Sequence, residues 1–252
     1  MGHFYVLNVG LSKKKYVFIG LVIGILIVCF FAIFRMNSSS HAPVPVVFTQ
    51  GDERYEKVSL TFNISWGDEK VHDILSVLTE HDVTATFFLS GEWAEKHPDI
   101  VEKIADNKHE IGMLGYRYKS YVEQEIEDVR QDLYLAQETF QKLNYDDITL
   151  LRAPSGHLNE EVVEIAKNIG FTVVHWNVNP NDWENPGTEE IVQQTIENTS
   201  NGDIILLHAS DVAKQTATAL NIIIPELKKK GLHLVTISEL MNQAEVEAEL
   251  IQ

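Results

Sequence analysis

VSLTFNISWGDE, residues Val58 to Glu69, opens as a near-continuous apolar run, turns polar at Asn63 and passes Gly67 before an amphipathic segment from Glu69 to Glu80. Such a run suits a strand buried on both faces, as a parallel sheet covered by helices requires. The same unit recurs along the chain. Candidate strands are Val58–Asn63, Thr84–Leu89, His109–Gly112, Ile148–Arg152, Thr172–Asn177, Asp203–His208 and Leu232–Ile237. Candidate helices lie at about Glu69–Glu80, Asp99–Asn107, Val122–Leu143, Asn159–Ile169, Thr188–Thr199 and Thr216–Lys230, with Pro98 early in the second and Gly170 and Gly231 just past two C-termini. Seven βα units predict an α/β fold, a distorted (β/α)7-type barrel around a parallel sheet.

In such a sheet the functional groups gather where strands end and loops begin. Polar residues fall there: Asn63 after Leu-Thr-Phe, Arg152 after Ile-Thr-Leu-Leu, Asn177 to Asp182 after Thr-Val-Val-His-Trp, and His208 after Asp-Ile-Ile-Leu-Leu.

Outside this region, Tyr16–Phe34 is an uncharged apolar run about long enough to cross a hydrocarbon core as a helix. Lys13, Lys14 and Lys15 precede it and Arg35 follows, which places the N-terminus in the cytoplasm and the bulk of the chain outside. A cleaved signal peptide is the alternative reading, disfavoured because the run exceeds the usual apolar core of about 7–15 residues. The expected organisation is a cytoplasmic N-terminus (1–15), a transmembrane anchor (16–34), a polar Ser/Pro-containing tether (35–50) and one globular domain (51–252). The net charge of −17 argues against a nucleic-acid partner, which needs clustered Lys and Arg. Cys29, the only cysteine, lies in the apolar run, so the domain has neither a disulfide framework nor a thiolate metal site. Apolar residues at 44% and charged residues at 23% are ordinary for a chain that builds a core.

Five short motifs, in order, resemble those of the polysaccharide deacetylase or NodB-homology family, and the stretch Phe62–Glu69 is most similar to its PdaB type from spore-forming bacteria. The resemblance spans about Val58 to Leu240. It implies a cell-envelope protein directed at N-acetylated glycan, peptidoglycan or spore wall, and a divalent metal such as zinc in active members. Against the family's Thr-Phe-Asp-Asp-Gly, this chain has Thr61-Phe62-Asn63-Ile64-Ser65, so Asn63 stands in place of the general base. An amide cannot deprotonate a water as a carboxylate does. At the two family histidine positions stand Leu114 and Tyr118, which leaves no metal site of the family kind and no cofactor expected. Arg152-Ala153-Pro154-Ser155-Gly156 resembles the third motif, whose arginine orients the base; Asn179-Pro180-Asn181-Asp182-Trp183 resembles the fourth with its first acid changed to an amide; Leu206-Leu207-His208 resembles the fifth. The resemblance makes Asp182 and His208 a surviving general-acid pair, with Trp183, Leu206 and Pro154 lining the substrate pocket.

A catalytic metal lowers the pKa of bound water from 15.7 toward about 7, on the order of 10 kcal/mol. A general acid supplies roughly 3–5 kcal/mol and cannot replace it. A substitute site from Asp68, His72, Asp73 and His109 lacks a third ligand at a convincing spacing. The expectation is a glycan-binding protein without catalysis. An active or atypical N-deacetylase and a structural or signalling partner in an envelope complex are the alternatives.

Overall fold

The computed structural model describes residues 47–242. The chain divides into Met1–Val44 and Pro45–Gln252, and all described residues belong to the second unit. The expected span Tyr16–Phe34 lies outside the described residues. Among those described, no helix is long and apolar enough to cross a membrane.

Seven strands, all paired in parallel, carry the fold: β1 Lys57–Ile64, β2 Thr86–Leu89, β3 Glu110–Met113, β4 Leu150–Leu151, β5 Thr172–Val173, β6 Ile204–His208 and β7 His233–Leu234. Around them run α1 Lys70–Glu80, α2 Gly91–Lys96, α3 Pro98–Asp106, α4 Ile126–Lys142, α5 Glu160–Asn168, α6 Thr188–Asn198 and α7 Thr216–Lys229. The strand order is β5-β4-β3-β2-β1-β6, and β7 pairs with the foot of β1. A parallel bridge between Val178 and Ile205 joins the chain beyond β5 to β6. Phe48 pairs with Val174, and the Gly51 N–H donates to the Gly202 carbonyl at 2.8 Å, so a short N-terminal segment spans the same gap. The result is the barrel-like α/β fold expected from the seven units.

Side chains alternate across each strand, so one set faces the helices and the other the bore. Leu60, Phe62 and Ile64 pack with the helix-facing core, together with Ile74 and Leu78 of α1 and Leu220 and Ile224 of α7. Each such fully buried side chain contributes about 1.5–3 kcal/mol. A second cluster, with Phe88, Leu114, Leu150, Val174 and Ile204, fills the bore. Gly112 makes room for it, since a Cβ there would stand 2.6 Å from the Phe88 ring.

Three features differ from the sequence reading. Gly91–Lys96 forms a short helix, α2, that the strand and helix patterns had not separated from its loop. The expected helix Val122–Leu143 begins only at Ile126, because Tyr121–Glu123 forms a 3₁₀ turn and Gln124 and Glu125 are extended. The cause is Tyr121, whose buried phenol turns back to donate to Asp132 Oδ2 at 2.9 Å. Several strands are also shorter than their apolar runs, β5 and β7 most of all; after β5 the chain from Asn177 onward turns to bond with β6.

His109, at the foot of β3, accepts the Ala85 N–H through Nδ1 at 3.3 Å, which fixes the neutral tautomer with the proton on Nε2. Its ring is 6% exposed and packs against Phe87, and burial lowers its pKa to about 4. Since the folded value lies below the ordinary 6.5, the unfolded chain binds the extra proton, and stability falls as pH drops from about 6.5 to about 4. The loss should be on the order of 3 kcal/mol. Urea unfolding of the parent and His109→Asn, which keeps an acceptor near Ala85, should show that part of the acid slope disappearing in the variant; identical slopes would refute the assignment.

Candidate functional site

Register brings the site together. Asn63 on β1 aligns with Phe88 on β2 and with His208 on β6, and the Ala209 N–H donates to the Asn63 carbonyl at 3.0 Å. Alternation then sets Asn63, Leu114, Arg152, Trp176, Leu206 and His208 around the upper end of the bore.

Arg152 is wholly buried. Its Nη1 donates to Asn63 Oδ1 at 3.0 Å and its Nη2 to the His175 carbonyl at 3.1 Å, while Nε has no partner among the described residues. The guanidinium lies 4.0 Å from the Phe88 ring centroid and 5.4 Å from that of Trp176. Those aromatic faces favour a cation. Both of its hydrogen-bond acceptors are neutral. Burial therefore lowers the Arg152 pKa to about 9, with the Tyr118 phenol acting in the opposite direction, and the group still carries its charge at neutral pH.

The turn after β4 supports this arrangement. Ser155 and Gly156 have φ of 60° and 73°, and a Cβ on Gly156 would stand 2.3 Å from the Trp176 ring. Glycine is required there on both counts. Pro154 is buried in this turn, and Trp176 stacks on His175 with ring centroids 3.9 Å apart.

The second half of the site is built around Asp182, which is fully buried. Its Oδ1 accepts from His208 Nδ1 at 2.7 Å, and its Oδ2 accepts from the His208 N–H at 2.8 Å and Thr216 Oγ1 at 2.6 Å. Nδ1 donates, so His208 Nε2 is the nitrogen free to exchange a proton with a ligand. Asp182 thus orients the imidazole as a proton donor needs. Thr216, at the start of α7, is a member of this group that the motifs did not mark.

The other expected residues divide between the bore and the rim. Leu206 is buried beside His208, whereas Trp183 is 45% exposed on the rim. Leu114 is buried in the bore cluster and presents only carbon. Tyr118 is 47% exposed on a loop held by Asp132, which accepts the Tyr116 and Arg117 N–H groups at 2.9 and 3.0 Å. Asn179 is exposed, and its Oδ1 accepts the Asn181 N–H at 3.0 Å in a local turn. Among the described residues, no three His, Cys, Asp or Glu side chains stand close enough to share an ion. The donor set at Asn63, Leu114 and Tyr118 does not fit a catalytic divalent metal, which wants imidazole and carboxylate. Asp68 and His72 do not share a helix face either. Asp68 precedes α1, His72 meets Lys103 Nζ at 3.3 Å, and His109 lies at the opposite end of the barrel.

Comparison with known proteins gives the same family as the motifs. The profile described as polysaccharide deacetylase matches residues 50–174. A peptidoglycan-N-acetylglucosamine deacetylase of Bacillus cereus is 33% identical over 187 residues, covering 73% of this chain and 87% of that protein. Among solved structures, a wild-type CE4 family pseudoenzyme from Bacillus anthracis matches with a TM-score of 0.74 at 29% identity, covering 78% of this chain and 69% of that one. A mutant described as a CE4 family pseudoenzyme with restored enzymatic activity also has a TM-score of 0.74 at 29% identity, covering 78% and 71%.

Proposed function

This chain belongs to the polysaccharide deacetylase family, and we propose that it binds N-acetylated cell-wall glycan at the barrel mouth while its metal-dependent hydrolysis is disarmed. The carrying observation is the upper layer of the bore. An amide, Asn63, accepts from Arg152 where the family's base stands, and buried Leu114 fills the wall where a ligand is needed. Asp182 and His208 can still orient a proton donor, yet a donor contributes only about 10²–10⁴-fold. The nucleophile has no means of generation. Likeness to a pseudoenzyme at a TM-score of 0.74 supports this reading.

The intact Asp182–His208–Thr216 group favours a second reading, an N-deacetylase with an atypical site. One experiment separates them. The purified full chain should sediment with insoluble peptidoglycan and release no acetate from N-acetylglucosamine oligomers above a protein-free control, with or without added zinc or cobalt. Acetate release that His208→Ala abolishes would establish the hydrolase. Failure to sediment would remove the glycan reading and favour a structural or signalling partner in the envelope.

We further propose that Tyr16–Phe34 remains as a single-pass anchor with the domain outside the cytoplasmic membrane, on the strength of its length and the three lysines before it. Protease added to protoplasts should digest the domain and leave a short protected N-terminal fragment. A protected domain, or a mature chain starting near Ser38–Ala42, would contradict that topology.

A further inference from the structure

Loops at a solvated barrel end are ordinarily polar, yet the large exposed apolar side chains of this domain collect there. Trp66 is 63% exposed, Trp183 45% and Val212 44%, on the loops that follow β1, β5 and β6. Tyr118 and Val122 add to the same end from the loop after β3, while Tyr134 and Ile222 are exposed on helices. A contiguous exposed apolar patch with a polar rim marks a binding surface.

Both tryptophans sit on backbone that is held in place. The Asp211 carboxylate accepts the N–H groups of Asp68, Glu69 and Lys70 at 3.2, 2.9 and 2.8 Å, and the Asp211 N–H donates to the Trp66 carbonyl at 3.4 Å. Gly67, at φ 78°, leaves room for that carboxylate, and Trp93 Nε1 donates to the Gly67 carbonyl at 2.6 Å. On the other side, Asn185 Nδ2 donates to the Trp183 carbonyl at 3.1 Å and to the Val212 carbonyl at 2.8 Å. Its Oδ1 accepts the Lys214 N–H at 2.8 Å. These bonds place the segment 211–212 between the Trp66 loop and the Trp183 turn. That segment leads directly from His208.

We infer that Trp66, with Val212 and Trp183, forms a stacking platform for a pyranose ring of a glycan chain, next to the sugar whose acetamido group reaches His208. A pyranose presents a face of C–H groups ringed by hydroxyls, and the negative face of an indole attracts such a C–H face while leaving the hydroxyls in water. The backbone of both loops is already hydrogen-bonded in place, which limits the freedom lost on binding. A neutral sugar is also indifferent to the chain's net charge of −17. The consequence is selectivity for length: a monosaccharide fills the His208 position alone, whereas an oligomer reaches Trp66 as well.

This inference rests on the glycan reading above, and titration calorimetry on the full chain tells the two apart. The probes are N-acetylglucosamine and its β-1,4-linked tetramer. The parent should bind the tetramer at least tenfold more tightly than the monomer. Trp66→Ala should lose about tenfold on the tetramer, roughly 1.4 kcal/mol, with monomer binding and melting temperature unchanged. Trp66→Phe should recover part of the loss, and Tyr134→Ala should behave as the parent. Equal tetramer affinity for the parent and Trp66→Ala would overturn the platform alone. A parent that binds neither sugar would overturn the glycan reading and the platform together.

Discussion

The fold depends on β1. It is hydrogen-bonded to β6 from Ser59 to Asn63, to β2 from Thr61 to Ile64 and to β7 at its foot, so every other strand is placed directly or indirectly from it. A strand with neighbours on both edges and layers on both faces tolerates few conformations. Its helix-facing residues are Leu60, Phe62 and Ile64, whereas its bore-facing residues, Ser59, Thr61 and Asn63, are buried and polar. Thr61 Oγ1 meets this demand by donating to the Ile205 carbonyl at 2.7 Å, and Asn63 by accepting from Arg152. A buried polar group without a partner costs about 1–3 kcal/mol, so these bonds belong to the fold as much as to the site.

On the proposed reading, that overlap accounts for the part of the site that is kept. Arg152 is clamped between Phe88 and Trp176 and holds the His175 carbonyl, a structural duty that does not need a carboxylate at position 63. Asp182 joins the end of β6, the 182–184 turn and the start of α7 through its three donors. Removing it would leave those donors unpaired inside the protein. Arg152 and Asp182 therefore serve the fold as well as the site. On the proposed reading, the positions tied to the nucleophile carry no such duty. Leu114 packs in the bore as an ordinary apolar residue, Tyr118 faces solvent, and Asn179 caps its own turn.

Much of this was legible before the structure. Near-continuous apolar runs and helix-end glycines such as Gly170 and Gly231 located every strand and all but one of the helices. The missed α2, six residues long, is too short to show a 3.6-residue period. The late start of α4 depends on Tyr121 reaching Asp132, a tertiary contact that overrides local propensity. In the site, the Asn63–Arg152 and Asp182–His208 pairs could be named from motif order. Phe88, Trp176 and Thr216 could not, since they reach the site from other elements and carry no motif signal. Trp66 was visible as part of Phe62–Glu69, but only its exposure and the bracing of its loop give it a part to play.

We propose that catalysis was lost through the residues at Asn63, Leu114 and Tyr118 while the frame holding the proton donor stayed intact. The direct measurement is metal content, by elemental analysis after dialysis against zinc, of the full chain carrying Asn63→Asp, Leu114→His and Tyr118→His. Two imidazoles and a carboxylate supply the three ligands of an open catalytic zinc site. The account predicts about one zinc per chain in the triple variant, with substoichiometric zinc in the parent. A triple variant that folds, as judged by circular dichroism, yet takes up no more zinc than the parent would contradict it.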